Sequence, residues 1–182
     1  GHDIMSLEMH YPWLFQPGLV DVSDIATDLA RKHGEWYPLL KDHAQVKGQW
    51  LGVPLLFTSF PGSHRIDLFE KVGERPPDTW DDLLRAGRKL KKLGHPVGFA
   101  ISQTTDSVTT IYSILWCFGA KDVAEDGKTI TINSKETEAA VEYVRALYAD
   151  AMDPAVLSWD NASNNQYLNA GIASWIHNPI TH

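Results

Sequence analysis

The chain has 182 residues, of which 43% are hydrophobic and 21% are charged, a balance that is ordinary for a globular protein. Its formal net charge of −7 argues against nucleic acid or an acidic membrane surface as the partner. The single cysteine, Cys117, excludes an internal disulfide, and its place in an apolar run predicts a buried side chain rather than a nucleophile. The sequence contains no apolar run of the length that a membrane-spanning helix needs.

Hydrophobic periodicity along the chain predicts short strands that alternate with longer helices. The predicted strands cover residues 3–7, 51–57, 97–101 and 172–176. The predicted helices cover residues 22–33, 80–93, 106–118 and, from a capping pattern onward, 133–151. Strands that alternate with helices favour an α/β domain with a largely parallel sheet.

Two of the predicted helices begin with a capping pattern. Thr79 is followed three residues later by Asp82, which predicts a reciprocal capping box, and Gly94 is placed to end that helix. Asn133 and Glu136 have the same spacing and predict a similar start for the last of the four long helices.

Residues 48–94 carry the most informative order of short motifs. They contain Gly-Val-Pro at 52–54, His-Arg-Ile-Asp-Leu-Phe at 64–69 and Pro-Asp-Thr-Trp-Asp-Asp-Leu at 77–83. This order resembles the segment that connects the two lobes in the extracellular solute-binding proteins of bacterial ABC importers, in their carbohydrate-binding, maltose-binding-protein-like group. Further matches to that family extend over nearly the whole chain, at residues 1–5, 18–22, 118–128 and 167–174.

The resemblance implies an α/β, two-lobed periplasmic-binding-protein-like fold that binds its ligand in the cleft between the lobes. Residues 1–57 would then be part of the first lobe and residues 58–182 most of the second, so that the chain looks like an internal part of a longer protein. The implied function is capture of a sugar or oligosaccharide for an ABC importer, with the permease subunits as partners and no cofactor, metal or catalysis. The implied location is periplasmic or extracellular, with or without a lipid anchor.

Residues 159–167, Trp-Asp-Asn-Ala-Ser-Asn-Asn-Gln-Tyr, are the best candidate for ligand chemistry. A sugar presents an apolar C–H face, which the indole of Trp159 could cover, and a rim of hydroxyls, which Asp160, Asn164 and Asn165 could satisfy. The alternative interpretation is a polar loop in which Asp160 or Ser163 caps a helix.

Two further loops belong to the same hypothesis. Glu8, His10 and Tyr11 follow the first predicted strand, where ligands of α/β sheets bind, and the family takes contacts from its first lobe there. Gln103 and Thr104 follow the strand predicted at 97–101 and open a helix, so their side chains and the helix N-terminus could hold ligand oxygens. The alternative for the residues at this helix start is ordinary N-capping.

His177 and Asn178 follow the last predicted strand and take the place at which the family often has Asn-Gly-Pro-Trp beside its cleft. They complete the set of expected ligand contacts. Trp175, which lies inside that strand, is expected in the core rather than at the ligand.

Two other functions stay open at this point. One is a carbohydrate-active hydrolase that uses Asp160 and Glu8, which product formation from glycosides would reveal. The other is the ligand-sensing domain of a regulator, which an adjoining DNA-binding module would reveal. The sequence shows no His-Glu-x-x-His helix, nucleophile elbow, phosphate-binding loop or dinucleotide fingerprint.

Overall fold

The structure, a computed structural model, describes residues 2–8 and 10–179. The chain folds into two compact units, residues 1–58 and residues 59–182, called unit 1 and unit 2 below. The division falls next to the predicted lobe boundary between residues 57 and 58. The assignment of the two units to the two lobes of a solute-binding protein remains a prediction.

Unit 1 is built from three helices and one short hairpin. Its elements are α1 (Tyr11–Leu14), α2 (Ser23–His33), α3 (Pro38–Ala44), β1 (Gln45–Val46) and β2 (Gln49–Trp50). The strands β1 and β2 pair antiparallel, with Gln45 opposite Trp50. Trp50 is buried against Trp36 and against Ala26 of α2. The Trp36 indole N–H donates to the carbonyl of Ala26 at 3.0 Å.

Two predicted strands in unit 1 are wrong. The structure describes no strand within residues 2–8 or within residues 51–57. A β-ladder needs a neighbouring strand, and among the described residues neither segment forms one. The N–H of Leu51 donates to the carbonyl of Ala44 at 3.0 Å, which continues the β1–β2 hairpin by one residue only. Apolar sequence alone predicted both strands, and it says nothing about the partner.

Unit 2 contains a three-stranded mixed sheet. Its strands are β3 (Gly62–His64), β4 (Val97–Gly98) and β5 (Trp175–His177), in the order β3-β5-β4. The outer strand β3 runs antiparallel to β5, whereas β4 runs parallel to it. The prediction of a largely parallel sheet therefore holds for only one of the two pairings, because the first strand of this unit enters from the opposite direction.

Five helices flank or follow this sheet, and the predicted long helices are confirmed to within one or two residues. They are α4 (Ile66–Lys71), α5 (Trp80–Lys92), α6 (Thr105–Cys117), α7 (Lys135–Ala151) and α8 (Ser163–Asn169). The capping box of α5 is present, with Asp82 N donating to Thr79 Oγ1 at 3.1 Å and Thr79 N donating to Asp82 Oδ2 at 3.2 Å. The cap of α7 is Ser134, whose hydroxyl accepts from Thr137 N at 3.2 Å, and not Asn133.

The core of unit 2 lies where α5, α6 and α7 cover the sheet. Its fully buried large side chains are Phe69, Leu83, Leu90, Val97, Phe99, Ile114, Leu147, Met152, Val156 and Ile176. The helices α5 and α7 approach closely at Gly87, where an added Cβ would lie 2.7 Å from the Cβ of Ala151. Trp175 is buried in this core, as predicted.

Cys117 corrects another expectation. It is exposed, because it is the last residue of α6 and the chain turns away directly afterwards at Gly119, which has a φ of +84°. Among the described residues, no helix combines the length and the apolar character needed to cross a bilayer.

Candidate functional site

Three polar segments of unit 2 meet at the carboxyl ends of β4 and β5. Residues 99–106 follow β4, residues 177–178 end β5, and residues 159–165 are hydrogen-bonded to the first of these. Ser102 Oγ donates to the carbonyl of Trp159 at 2.5 Å, and the backbone N–H of Asp106 donates to Asn161 Oδ1 at 3.3 Å. Because β4 and β5 are parallel, their carboxyl ends open on one edge of the sheet, where α/β folds bind ligands.

The side chain of Asn164 lies at the centre of these segments and is 1% exposed. Its Nδ2 group donates to Asp106 Oδ2 at 3.0 Å, to Asn178 Oδ1 at 2.8 Å and to the carbonyl of His177 at 3.2 Å. Its Oδ1 accepts from the backbone N–H of Asn165 at 2.8 Å. This one buried amide therefore joins α6, α8 and the end of β5.

His177 and Asn178 are buried and extend the same network. Asn178 donates through its side chain to Asn165 Oδ1, and its backbone N–H donates to the carbonyl of Pro61 at 3.3 Å. The His177 ring hydrogen-bonds through Nδ1 to Thr110 Oγ1 at 2.8 Å. Burial lowers the pKa of His177 below its ordinary value of 6.5, and a hydrogen bond to the backbone of Phe60 opposes that shift. The imidazole is therefore held neutral near pH 7.

The groups that remain accessible form a rim around this network. Gln103, Asp160 and Asn161 are exposed, and Asn165 is half-buried. Gln103 has no hydrogen-bond partner for its side chain within residues 2–8 and 10–179. The amide oxygens of Asn161 and Asn165 each accept a hydrogen bond from the network. Their amide N–H groups take no part in these bonds.

Thr104 acts as the alternative interpretation predicted, whereas Asp160 makes local hydrogen bonds before α8 and does not cap it, since the N-cap of α8 is Ala162 without a side-chain bond. Asp160 Oδ1 accepts from Ser163 Oγ at 2.7 Å and from the backbone N–H of Ala162 at 3.0 Å. These bonds lower the pKa of the Asp160 carboxyl, which is therefore ionised at neutral pH. Thr104 is the N-cap of α6, and its hydroxyl accepts from Ser107 N at 3.2 Å.

The expected stacking role of Trp159 needs correction. The side chain is 5% exposed and belongs to the core of unit 2. Its ring fills the space beside Gly98, where an added Cβ would lie 2.6 Å from Cη2 of the indole, and it packs on Tyr167 with ring centroids 4.5 Å apart. A polar sequence context predicted an accessible indole, but the missing side chain at residue 98 creates a slot for it under the sheet.

The predicted contacts from unit 1 lie on its surface. Glu8, His10 and Tyr11 are exposed around the start of α1, and Tyr11 N donates to the carbonyl of Glu8 at 3.0 Å. The rings of His10 and Tyr11 meet edge to face with centroids 5.7 Å apart. Their contact with a ligand remains a prediction.

Sequence reasoning missed two residues of the network. Asp106 was expected as a helix cap or, with its polar neighbours, at the ligand, yet its carboxylate accepts from Asn164 in the interior. Thr110 was not singled out, although it lies one helical turn after Asp106 and therefore on the same face of α6. That spacing, two polar residues at i and i+4 on one face of the helix, was the available signal.

Comparison with known proteins agrees with this architecture. The family model described as bacterial extracellular solute-binding protein matches residues 14–173. The maltose-bound MalE3 protein of T. maritima is 26% identical with a TM-score of 0.79, and the match covers 92% of this chain and 44% of that one. A sugar transporter protein from Arthrobacter chlorophenolicus with bound laminaribiose is 23% identical with a TM-score of 0.74, over 90% of this chain and 43% of that one, which supports the fold alone.

The curated relatives are longer than the matched region. An ABC transporter extracellular-binding protein of Pyrococcus horikoshii is 30% identical over 99 residues, which are 49% of this chain and 22% of that protein. The chain thus spans less than a third of the curated relatives it matches and less than half of the solved structures. The predicted α/β fold of the two-lobed binding proteins is confirmed by the solved structures. Since the family model matches most of its residues, the chain belongs to the bacterial extracellular solute-binding protein family.

Proposed function

We propose that this chain is part of an extracytoplasmic solute-binding protein that captures a neutral sugar or oligosaccharide for an ABC importer. The observation that carries the proposal is a rim at the carboxyl edge of the unit 2 sheet, formed by the Gln103 amide, the amide N–H groups of Asn161 and Asn165, and the ionised carboxylate of Asp160. The family membership supports solute capture, and the maltose bound to the MalE3 protein supports the ligand class. The permease subunits of an importer and a periplasmic or extracellular location belong to the same proposal.

The chemistry of the rim suits hydroxyl groups. A sugar hydroxyl both donates and accepts. The Gln103 amide can do the same, the amide N–H groups of Asn161 and Asn165 can donate, and Asp160 accepts through its carboxylate. A wrong ligand that covers a rim group without matching its hydrogen bonds is disfavoured, so a rim of this kind also discriminates. With Trp159 in the core, the apolar face of the sugar requires another partner, and the exposed Tyr11 of unit 1 remains a proposed contact for it.

Asp160 does not suit the role of the general acid in the hydrolase alternative. A glycosidase needs one carboxylic acid that stays protonated to donate to the leaving group, which requires a raised pKa. The pKa of Asp160 is shifted in the opposite direction by its bonds to Ser163 and Ala162. The regulator alternative has no observation in its favour.

Calorimetric titration with a panel of glucose, maltose, laminaribiose and ribitol tests the proposal. At least one of these ligands should bind, and chromatography after prolonged incubation should show the sugar unchanged. Binding of amino acids or peptides without any response to the sugars would overturn the assignment of ligand class. Release of product from glycosides would overturn the assignment as a binding protein.

Two single substitutions place the site. Asn161→Ala removes a rim amide and should weaken the affinity for the bound sugar by about 1–3 kcal/mol, roughly five- to 150-fold. Asn169→Ala is the matched control, because it removes the same group from an exposed position at the other end of α8. Equal effects of the two substitutions would show that the ligand does not bind at this rim.

A further inference from the structure

One buried amide connects the three segments that carry the rim. The group formed by Asp106, Asn164, Asn165, His177 and Asn178 is called the amide cluster here. Within it, Asn164 donates to α6 through the Asp106 carboxylate and to the end of β5 through the His177 carbonyl and Asn178 Oδ1. Its oxygen accepts from the start of α8 through the backbone of Asn165.

The polar groups of Asn164 are fully used inside the protein. The side chain has two N–H groups and one oxygen, and the bonds described above engage all of them, so a ligand has nothing left to bind on it. A buried polar network in which every member is satisfied favours one arrangement of its elements, because any other arrangement leaves polar groups unpaired. Asn164 is thus placed to act on ligand binding only through its neighbours.

Each neighbour leads to an exposed rim group. Asp106 donates through its backbone to the side chain of Asn161, and Asn178 donates to the side chain of Asn165. The N-cap of α8 is Ala162, which makes no side-chain capping bond, so the buried contacts of Asn164 help to fix the start of this helix. The positions of two rim amides therefore depend on the bonds that Asn164 makes.

We propose that Asn164 is a positioning residue: its amide holds the rim groups of residues 161 and 165 in one geometry before the ligand arrives, and so sets the affinity and selectivity of the site. This inference rests on the proposed function, because it assigns the supporting structure of the same rim. The sequence predicted Asn164 as a direct ligand contact. In this proposal Asn164 instead supports the groups that contact the ligand.

Asn164→Asp tests the role with almost no change of shape. It removes both N–H donors and brings a second carboxylate to the position that now lies 3.0 Å from Asp106 Oδ2. Two carboxylates at this distance cannot both ionise easily, so the pair retains a proton to higher pH than a single carboxyl group does. At low pH that proton restores a donor towards Asp106, whereas at high pH the two charges repel and separate α6 from α8. Relative to the native chain at the same pH, the variant should therefore lose binding as the pH rises.

The measurements are maltose affinity by calorimetry and hydrogen exchange of backbone amides without ligand, both on the full chain between about pH 5 and pH 8. Relative to the native chain, Asn164→Asp should bind maltose at least roughly tenfold more weakly at the high end, and the ratio should shrink several-fold towards the low end. Exchange should rise in residues 102–106 and 160–166 with the same pH dependence and stay unchanged in residues 80–92. Asn169→Asp, which adds the same charge at an exposed site, should do neither.

The possible results separate this proposal from the proposed function. A ratio that does not change with pH, or exchange that rises equally throughout unit 2, would overturn the positioning role. If the native chain does not bind maltose, the sugar assignment loses support, and the exchange data alone decide the role of Asn164. If Asn164→Asp does not fold, Asn164→Ala removes the donors without adding charge. It should then raise exchange in the same two segments only, and a uniform or absent rise overturns the proposal.

Discussion

The contact between Gly98 and Trp159 can be tested by a pair of substitutions. In Gly98→Ala the new Cβ would lie 2.6 Å from Cη2 and 2.9 Å from Cζ3 of the indole, against an ordinary contact distance of 3.4–4 Å. The ring is buried and packed on Tyr167, so it can yield only by displacing its neighbours. Overpacking of this kind costs about 1–3 kcal/mol, and we expect Gly98→Ala to lower the free energy of unfolding by that amount.

The second substitution removes the atoms that cause the clash. Trp159→Phe lacks both Cη2 and Cζ3 and should by itself cost about 1–3 kcal/mol through lost burial and the space left behind. In the double variant the Cβ at residue 98 occupies part of that space. The double variant should therefore lose less free energy of unfolding than the two single variants lose together, by a coupling of about 1–2 kcal/mol.

Urea unfolding at constant protein concentration measures the free energy of unfolding of the native chain, the two single variants and the double variant. In thermal unfolding, a change of about 1 kcal/mol should shift the melting temperature by roughly 2–4 °C for a chain of this size. Gly18→Ala is the control substitution, because an added Cβ there meets no atom within 4 Å. Additive effects of Gly98→Ala and Trp159→Phe would refute the claim that these residues are in forced contact. A stable Gly98→Ala variant that has lost only ligand affinity would return Trp159 to the ligand site.

The remaining predictions concern charged groups. Because burial lowers the pKa of His177, the unfolded chain takes up a proton at a higher pH than the folded chain does. The contribution of the neutral ring to the free energy of unfolding is therefore complete above about pH 6.5 and declines as the pH falls below it. His177→Gln should reduce that decline when unfolding is followed from about pH 7.5 downward. A pH dependence identical to that of the native chain would show that another group is responsible. Glu74→Gln should cost about 1–3 kcal/mol in urea unfolding, because the carboxylate is only 7% exposed and contacts Arg85 at 3.0 Å and Lys89 at 2.6 Å. Glu125→Gln, at a side chain that is 94% exposed, is the control and should change little, and equal losses would contradict the reasoning.

The helices of this protein could be predicted from the sequence because their signals are local. The apolar period of residues 80–92 and the Thr79–Asp82 capping box act within one or two turns, and the structure shows both. The family could also be predicted, since the order of its motifs is written along the chain and the family model matches residues 14–173. Even locally the choice between neighbours was close, as the cap of α7 at Ser134 rather than Asn133 shows.

The sheet and the inner half of the site were decided only by the tertiary structure. The strand β3 pairs with β5 across more than a hundred residues, and no local pattern specifies such a partner or its direction. Likewise, Trp159 and Asn164 lie in one polar stretch of sequence. Trp159 is in the core because Gly98 leaves space for its ring, and Asn164 is beneath the rim because it donates to Asp106. Whether a polar or aromatic side chain faces a ligand or the interior depends on residues distant in sequence that leave it space or offer it a hydrogen bond, and these become neighbours only when the chain has folded.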